Sequence, residues 1–120
     1  MSTPSRLIIL LLLLACLPLC STAQNSKHEP ELRTVRGQVL DKTETPVAAG
    51  VVFLKNMRTN TIRSYISDET GNYRFSGLDP NADYELHAEK DGAKSQTRTI
   101  SSYDSRKDII LNLKLDKKTS

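Results

Sequence analysis

Beyond residue 34 the chain keeps one rhythm: apolar side chains at every second position for a short run, a cluster of turn formers, then the same again. Val35, Gly37 and Val39 alternate with Arg36 and Gln38; Ile62, Ser64 and Ile66 with Thr61, Arg63 and Tyr65; Tyr84, Leu86 and Ala88 with Glu85, His87 and Glu89. A period of two belongs to a β-strand, whose successive side chains point to opposite faces, and no stretch carries a helical period. The pattern predicts seven strands, at Thr34–Asp41, Gly50–Lys55, Thr61–Asp68, Asn72–Ser76, Asp83–Lys90, Ser95–Ser101 and Ile109–Leu115. In the second, Val51, Val52, Phe53 and Leu54 are apolar on both faces, which suits a central strand. Short strands with turn signals between them and no helices indicate two packed sheets. The expected fold is all-β, a seven-stranded antiparallel Greek-key β-sandwich.

The first third of the chain is different. Leu7 to Cys20 is apolar except for Pro18 and follows one positive charge, Arg6. That run is short of the roughly 20 residues a membrane span requires and fits a signal-peptide core of about 7–15. Ser21-Thr22-Ala23 supplies small residues before Gln24, so residues 1–23 read as a signal peptide cleaved between Ala23 and Gln24. Leu13-Leu14-Ala15-Cys16 resembles a bacterial lipobox, and a lipid anchor at Cys16 stays open as the minority reading. After processing no membrane span is expected, and the localisation is secreted or periplasmic/extracellular. Residues 24–33 read as a flexible polar leader, 34–116 as the domain and 117–120 as a tail. Both cysteines, Cys16 and Cys20, fall within the signal, so the mature domain has no disulfide to stabilise it.

Charge excludes one class of partner. Removing Arg6 leaves 16 basic residues (17 minus one) against 14 acidic, a net of +2 with the signs interleaved. Nucleic-acid binding needs Lys and Arg gathered on one face, so no nucleic acid is expected. Chemistry is equally sparse. The only histidines are His28 in the leader and His87 on a polar strand face between Glu85 and Glu89, which provides no zinc ligand set. Acidic pairs at Asp68/Glu69, Asp79/Asp83 and Asp104/Asp108 lack EF-hand spacing. A catalytic role for His87, and with it a small hydrolase, ranks third among the readings. No catalytic residue, metal ligand or cofactor is assigned.

Two stretches carry a family pattern: Gly37-Gln38-Val39-Leu40-Asp41 leading to Thr45-Pro46-Val47, and Asp68-Glu69-Thr70-Gly71-Asn72-Tyr73-Arg74-Phe75-Ser76-Gly77-Leu78-Asp79-Pro80. Together they resemble the carboxypeptidase regulatory-like domain family, over about Val35 to Leu115. The resemblance implies a transthyretin-like (prealbumin-like) sandwich in which Gly37, Asp41, Gly71, Tyr73, Phe75, Leu78, Pro80 and Tyr84 are fold residues, not reactive ones. The family usually has a glycine in the first loop, where this chain offers Glu44 or Thr45, and a Pro-Gly pair where it has Pro80-Asn81. Asn81 is expected to take the left-handed conformation there. Leu78 to Tyr84 also looks like the tyrosine-corner stretch of fibronectin type III domains, which is the alternative sandwich.

A fold without a reaction centre points to a non-enzymatic exported module that binds a glycan or a protein surface. Tyr65, Lys94, Arg98, Tyr103 and Arg106 are its candidate ligand-binding residues, the basic, hydroxyl-rich and aromatic groups gathered mostly on the last connections. The alternative is a structural or docking domain of an envelope assembly, recruited through a sheet edge at Ser95–Ser101.

Overall fold

The computed structural model describes residues 31–118. The expected signal peptide, its Ala23/Gln24 cleavage site, the Cys16 alternative and the end of the tail lie outside the described residues. Nine strand segments and no helix occur among those described: β1 (Arg33–Leu40), β2 (Val51–Asn56), β3 (Ile62–Ile66), β4 (Asn72–Leu78), β5 (Tyr84–Lys90), β6 (Ala93–Ser95), β7 (Arg98–Ile100), β8 (Asp108–Ile110) and β9 (Leu113–Lys118). They run β3-β2-β5-β6-β9-β1-β4, with β7 beside β5 and β8 beside β1. One layer holds β3, β2, β5 and the β6/β7 pair, the other β4, β1 and β8, and β9 joins them by pairing with both β6 and β1.

The alternation read from the sequence sets which side chains are inside. Val35, Val39, Val52, Leu54, Leu86 and Leu113 are at most 1% exposed, with Tyr73 and Phe75 between the layers. Each such burial contributes about 1.5–3 kcal/mol. As expected, β2 is central, flanked by β3 and β5.

Two details differ from a seven-stranded antiparallel count. Ser95–Ser101 is broken into β6 and β7 because the Ser95 hydroxyl accepts the Ala88 N–H at 2.9 Å and donates to Gln96 O at 2.9 Å, replacing ladder bonds at that point. The last strand also breaks, at Leu111–Asn112, and both halves run parallel to β1: β8 pairs with Thr34 to Arg36, β9 with Val39 and Leu40. The sheet is therefore mixed. The crossing passes over Gly37, where a Cβ would lie 1.8 Å from Leu111 O.

The expected leader also ends earlier than residue 33. Arg33 opens β1 and is 2% exposed, its guanidinium donating to the carbonyls of Ser101, Asp104, Asp79 and Ala82. Its polarity in the sequence hid a buried role.

One turn is built twice. In Asp41 to Thr45, Asp41 Oδ1 accepts from Thr43 N (2.9 Å), Thr43 Oγ1 (2.7 Å) and Thr45 N (3.0 Å). In Asp68 to Asn72, Asp68 Oδ1 accepts from Thr70 N (2.9 Å), Thr70 Oγ1 (3.0 Å) and Asn72 N (2.9 Å). The Thr43 hydroxyl in one turn and the Asn72 N–H in the other hold these carboxyls below the usual carboxylate range. The fourth residue has positive φ in both, 67° at Glu44 and 79° at Gly71. Glutamate is strained there by about 1–2 kcal/mol, whereas glycine adds about 0.4–1 kcal/mol of unfolded-state entropy. Glu44→Gly is thus expected to stabilise by about 0.5–1 kcal/mol, a rise of a few degrees in the melting temperature. A lower Tm for this variant would show that the turn carries no such strain.

The Pro80-Asn81 turn is made differently from expectation. Among the described residues the non-glycine positive φ values fall at Glu44, Ala49, Asn60 and Asp91, not at Asn81. Instead Asp79 Oδ1 accepts the Asn81 N–H at 2.8 Å. Tyr84 locks the same corner, its hydroxyl accepting the Asp79 N–H at 2.8 Å.

Candidate ligand-binding face

The two faces of β2 part company chemically. Val52 and Leu54 enter the core, so Val51, Phe53 and Lys55 must face outward. Antiparallel neighbours in register share a face, and three cross-strand rows follow. Ile62, Lys55 and Glu85 form the first, Ser64, Phe53 and His87 the second, Ile66, Val51 and Glu89 the third. Phe53 and His87 stack with ring centroids 5.1 Å apart and planes at 24°. His87 Nε2 and Glu89 Oε2 are hydrogen-bonded at 2.8 Å, which fixes the imidazole over the phenyl ring.

Around this ring pair lies an open depression of about 310 Å³, lined by Phe53, Lys55, Ile62, Glu85, His87, Glu89 and Thr97. It combines an aromatic floor with an ammonium, two carboxylates, an imidazole and a hydroxyl at its margin. Such a surface can hold a ligand that has one apolar face and several hydroxyl or amine groups. Two hydroxyls stand near His87 on this face: Ser64, two strands away, and Thr97, which continues the β5/β7 register opposite His87 and lines the same depression. No group of three His, Cys, Asp or Glu side chains poised to hold a metal occurs among the described residues.

The five residues singled out from sequence are dispersed. Tyr65 shares its row with the buried Val52 and turns inward at the open seam, its ring edge on Phe75 at 6.0 Å. Arg98 sits opposite Leu86, on the core-facing side of β7, in a polar groove with Gln96, Asn112, Lys114 and Asp116. Tyr103 is 95% exposed in the loop before β8. Arg106 is engaged by Asp104 through bonds of 3.0, 3.2 and 2.7 Å. Those bonds lead the causes that lower the Asp104 carboxyl to about 2. Lys94, on β6 in register with Glu89 of β5, is the one member of the set on the outer face beside the depression. Among the described residues, no hydrogen bond, ion pair or ring contact links any two of the five. Phe53, Lys55, Glu85 and Thr97 were not anticipated. The available signal was Phe53 itself, an aromatic on the outward face of a strand whose other face fills the core.

The family model described as carboxypeptidase regulatory-like domain matches residues 34–116. Comparison with curated proteins gives no match. Among solved structures, the chain is similar to catechol 1,2-dioxygenase from Acinetobacter sp. ADP1 (15% identity, TM-score 0.56, 78% of this chain and 55% of that one). It is similar also to the major pilin subunit of Bacillus cereus (17%, TM-score 0.55, 73% and 31%). A third is the dioxygenase domain of a carbohydrate-binding fusion protein from Streptomyces sp. SirexAA-E (12%, TM-score 0.53, 76% and 83%). At such identities the likeness is one of fold alone. The chain spans about half the length of the first of these structures.

Proposed function

The chain belongs to the carboxypeptidase regulatory-like domain family, and from that premise we propose that it is an exported, non-catalytic module that binds carbohydrate on the outer face of the β3-β2-β5 sheet. The observation that carries the reading is the Phe53–His87 stack inside a margin of Lys55, Glu85, Glu89 and Thr97. The C–H face of a sugar ring packs on an aromatic ring, and its hydroxyls bond to carboxylates and ammonium groups at the rim. Export rests on the signal-like residues 1–23. The non-catalytic part rests on the family.

The test is a glycan array followed by calorimetric titration of the best ligand. Phe53→Ala is expected to weaken binding by at least about tenfold, the equivalent of about 1.4 kcal/mol lost with the stacking ring. An array without a signal, or an affinity indifferent to Phe53→Ala, would sink the reading. A second, structural reading is favoured by the open edge of β3 and by the fold shared with a pilin subunit. Within the edge expected for it at Ser95–Ser101, β6 is covered by β5 on one side and β9 on the other, whereas β7 pairs with β5 alone among the described residues.

A further inference from the structure

We propose that the open edge of β3 takes a second copy of this chain, in an antiparallel pair centred on Ser64. The inference starts from where the backbone groups point. Thr61 O accepts from Asn56 N and Ser67 N donates to Gly50 O, so the odd-numbered residues of this stretch turn their N–H and C=O toward β2. In an antiparallel ladder direction alternates, which leaves the N–H and C=O of Ile62, Ser64 and Ile66 facing outward. Among the described residues β3 has no ladder on that side.

The edge also lacks the usual defences. Ile62 to Ile66 contains neither Lys nor Pro, and Ile62 and Ile66 are 63% and 66% exposed. Its one charge, on Arg63, is drawn back over the Phe75 ring at 5.3 Å from the centroid and donates to Ser76 O at 3.1 Å.

What singles out a second copy is the sequence of the edge-facing residues, Ile62, Ser64 and Ile66, which reads the same in both directions. A two-fold axis at Ser64 sets each Ile62 against Ile66 of the second copy and each Arg63 against Tyr65 of the second copy, with serine facing serine. The neighbouring registers are worse. Sliding one way brings Arg63 against Arg63 of the second copy, and sliding the other brings Ile62 against Asp68 of the second copy. A strand this short makes a small interface, so the pair belongs among weak, concentration-dependent associations. Joined this way, the two layers form one continuous sheet with the Phe53 rings about 14 Å apart on the same face, three strand spacings. A polymeric ligand would meet both rings and gain avidity. The pairing itself stands whatever occupies the depression at Phe53.

Sedimentation equilibrium of the purified protein over a wide concentration range tests it. The wild type is expected to move reversibly from one toward two protein masses. I62K/I66K sets lysine against lysine at both flanks of the axis and is expected to leave only monomer, whereas I62K/I66E sets lysine against glutamate and is expected to restore the dimer. Phe53→Ala is expected to leave the association unchanged, which separates it from glycan binding. Both isoleucines are exposed, so circular dichroism of all variants is expected to match the wild type. A wild type monomeric at every concentration, or a dimer that I62K/I66K leaves intact, overturns the proposal. Loss that I62K/I66E does not restore overturns it as well, since the Ser64-centred register requires the rescue.

Discussion

Gly37→Ala is expected to remove most of the stability of the domain. The added methyl carbon would lie 1.8 Å from Leu111 O and 2.6 Å from Leu111 C, both backbone atoms, so one of two strands has to move. Neither is free to do so. The Leu111 N–H donates to Arg36 O at 2.9 Å, Leu111 O accepts the Tyr73 hydroxyl at 2.6 Å, and Asn112 Oδ1 accepts the Gln38 N–H at 3.0 Å. Losing those three bonds costs roughly 1–1.5 kcal/mol apiece, and overpacking adds about 1–3 kcal/mol. The sum, roughly 4–7 kcal/mol, rivals the whole stability of a small domain, about 5–15 kcal/mol. A fall of more than about 20 °C in Tm, or insoluble expression, is the expected reading. Gly77→Ala is the control: φ is 72° but nothing lies within 4 Å, so strain alone should cost about 1–2 kcal/mol. Equal losses for the two variants would show that the close approach at Gly37 is not what holds the last strand across the layers.

That glycine shows how far the fold was legible. Its place on the inward face of the first strand followed from alternation with Val35 and Val39, and the family pattern marked it as a fold residue. The reason lies in tertiary structure. A single position on β1 has to pass under a chain that leaves one layer at β8 and enters the other at β9, and neither the crossing nor its parallel pairing with β1 has a local signature. Local periodicity reports which side of a strand is buried; it is silent on which strand comes to lie beside it. The break at Ser95 was hidden for the same reason, since its hydroxyl replaces a ladder bond only once β5 is alongside.

The candidate site was less legible than the core, for a related reason. Lys94, Tyr103 and Arg106 are near in sequence, but residues on a sheet face become neighbours across strands. Phe53, His87 and Lys55 come together through the pairing of β2 with β5, which fixes a register that sequence spacing does not. Tyr65 misled in another way. It is an exposed aromatic by composition, yet its even spacing from Arg63 puts both on the core side of β3, where they cover Phe75 at the seam between the layers. The turns at Asp41 and Asp68, by contrast, are local, because each aspartate acts on residues two and four positions away, whereas the Pro80-Asn81 turn is closed by Asp79 and not by a left-handed Asn81.

Arg33→Met is expected to lower stability by about 2–4 kcal/mol, the second largest effect. Arg33 is nearly sealed from solvent with no carboxylate bonded to it among the described residues, and its charge is held by four carbonyl dipoles. Nη1 bonds Ser101 O at 3.0 Å and Asp104 O at 3.1 Å, and Nη2 bonds Ala82 O at 3.0 Å and Asp79 O at 3.4 Å. The guanidinium thus ties the β4–β5 connection to the β7–β8 connection from the first residue of the sheet. Methionine fills much of the volume, so the loss comes from carbonyls left without a donor, each worth about 1–3 kcal/mol if it stays dry, and less where water reaches it. Arg33→Lys keeps the charge but has one ammonium for carbonyls on two connections, and is expected to fall between wild type and methionine. Urea unfolding gives the size of the loss. Hydrogen exchange locates it, with faster exchange expected at Ala82 and Asp104, whose amides close the turns that Arg33 holds. An unfolding free energy within a few tenths of a kcal/mol of wild type for Arg33→Met would mean that these loops keep their conformation unaided, and that the buried cation serves some purpose other than stability.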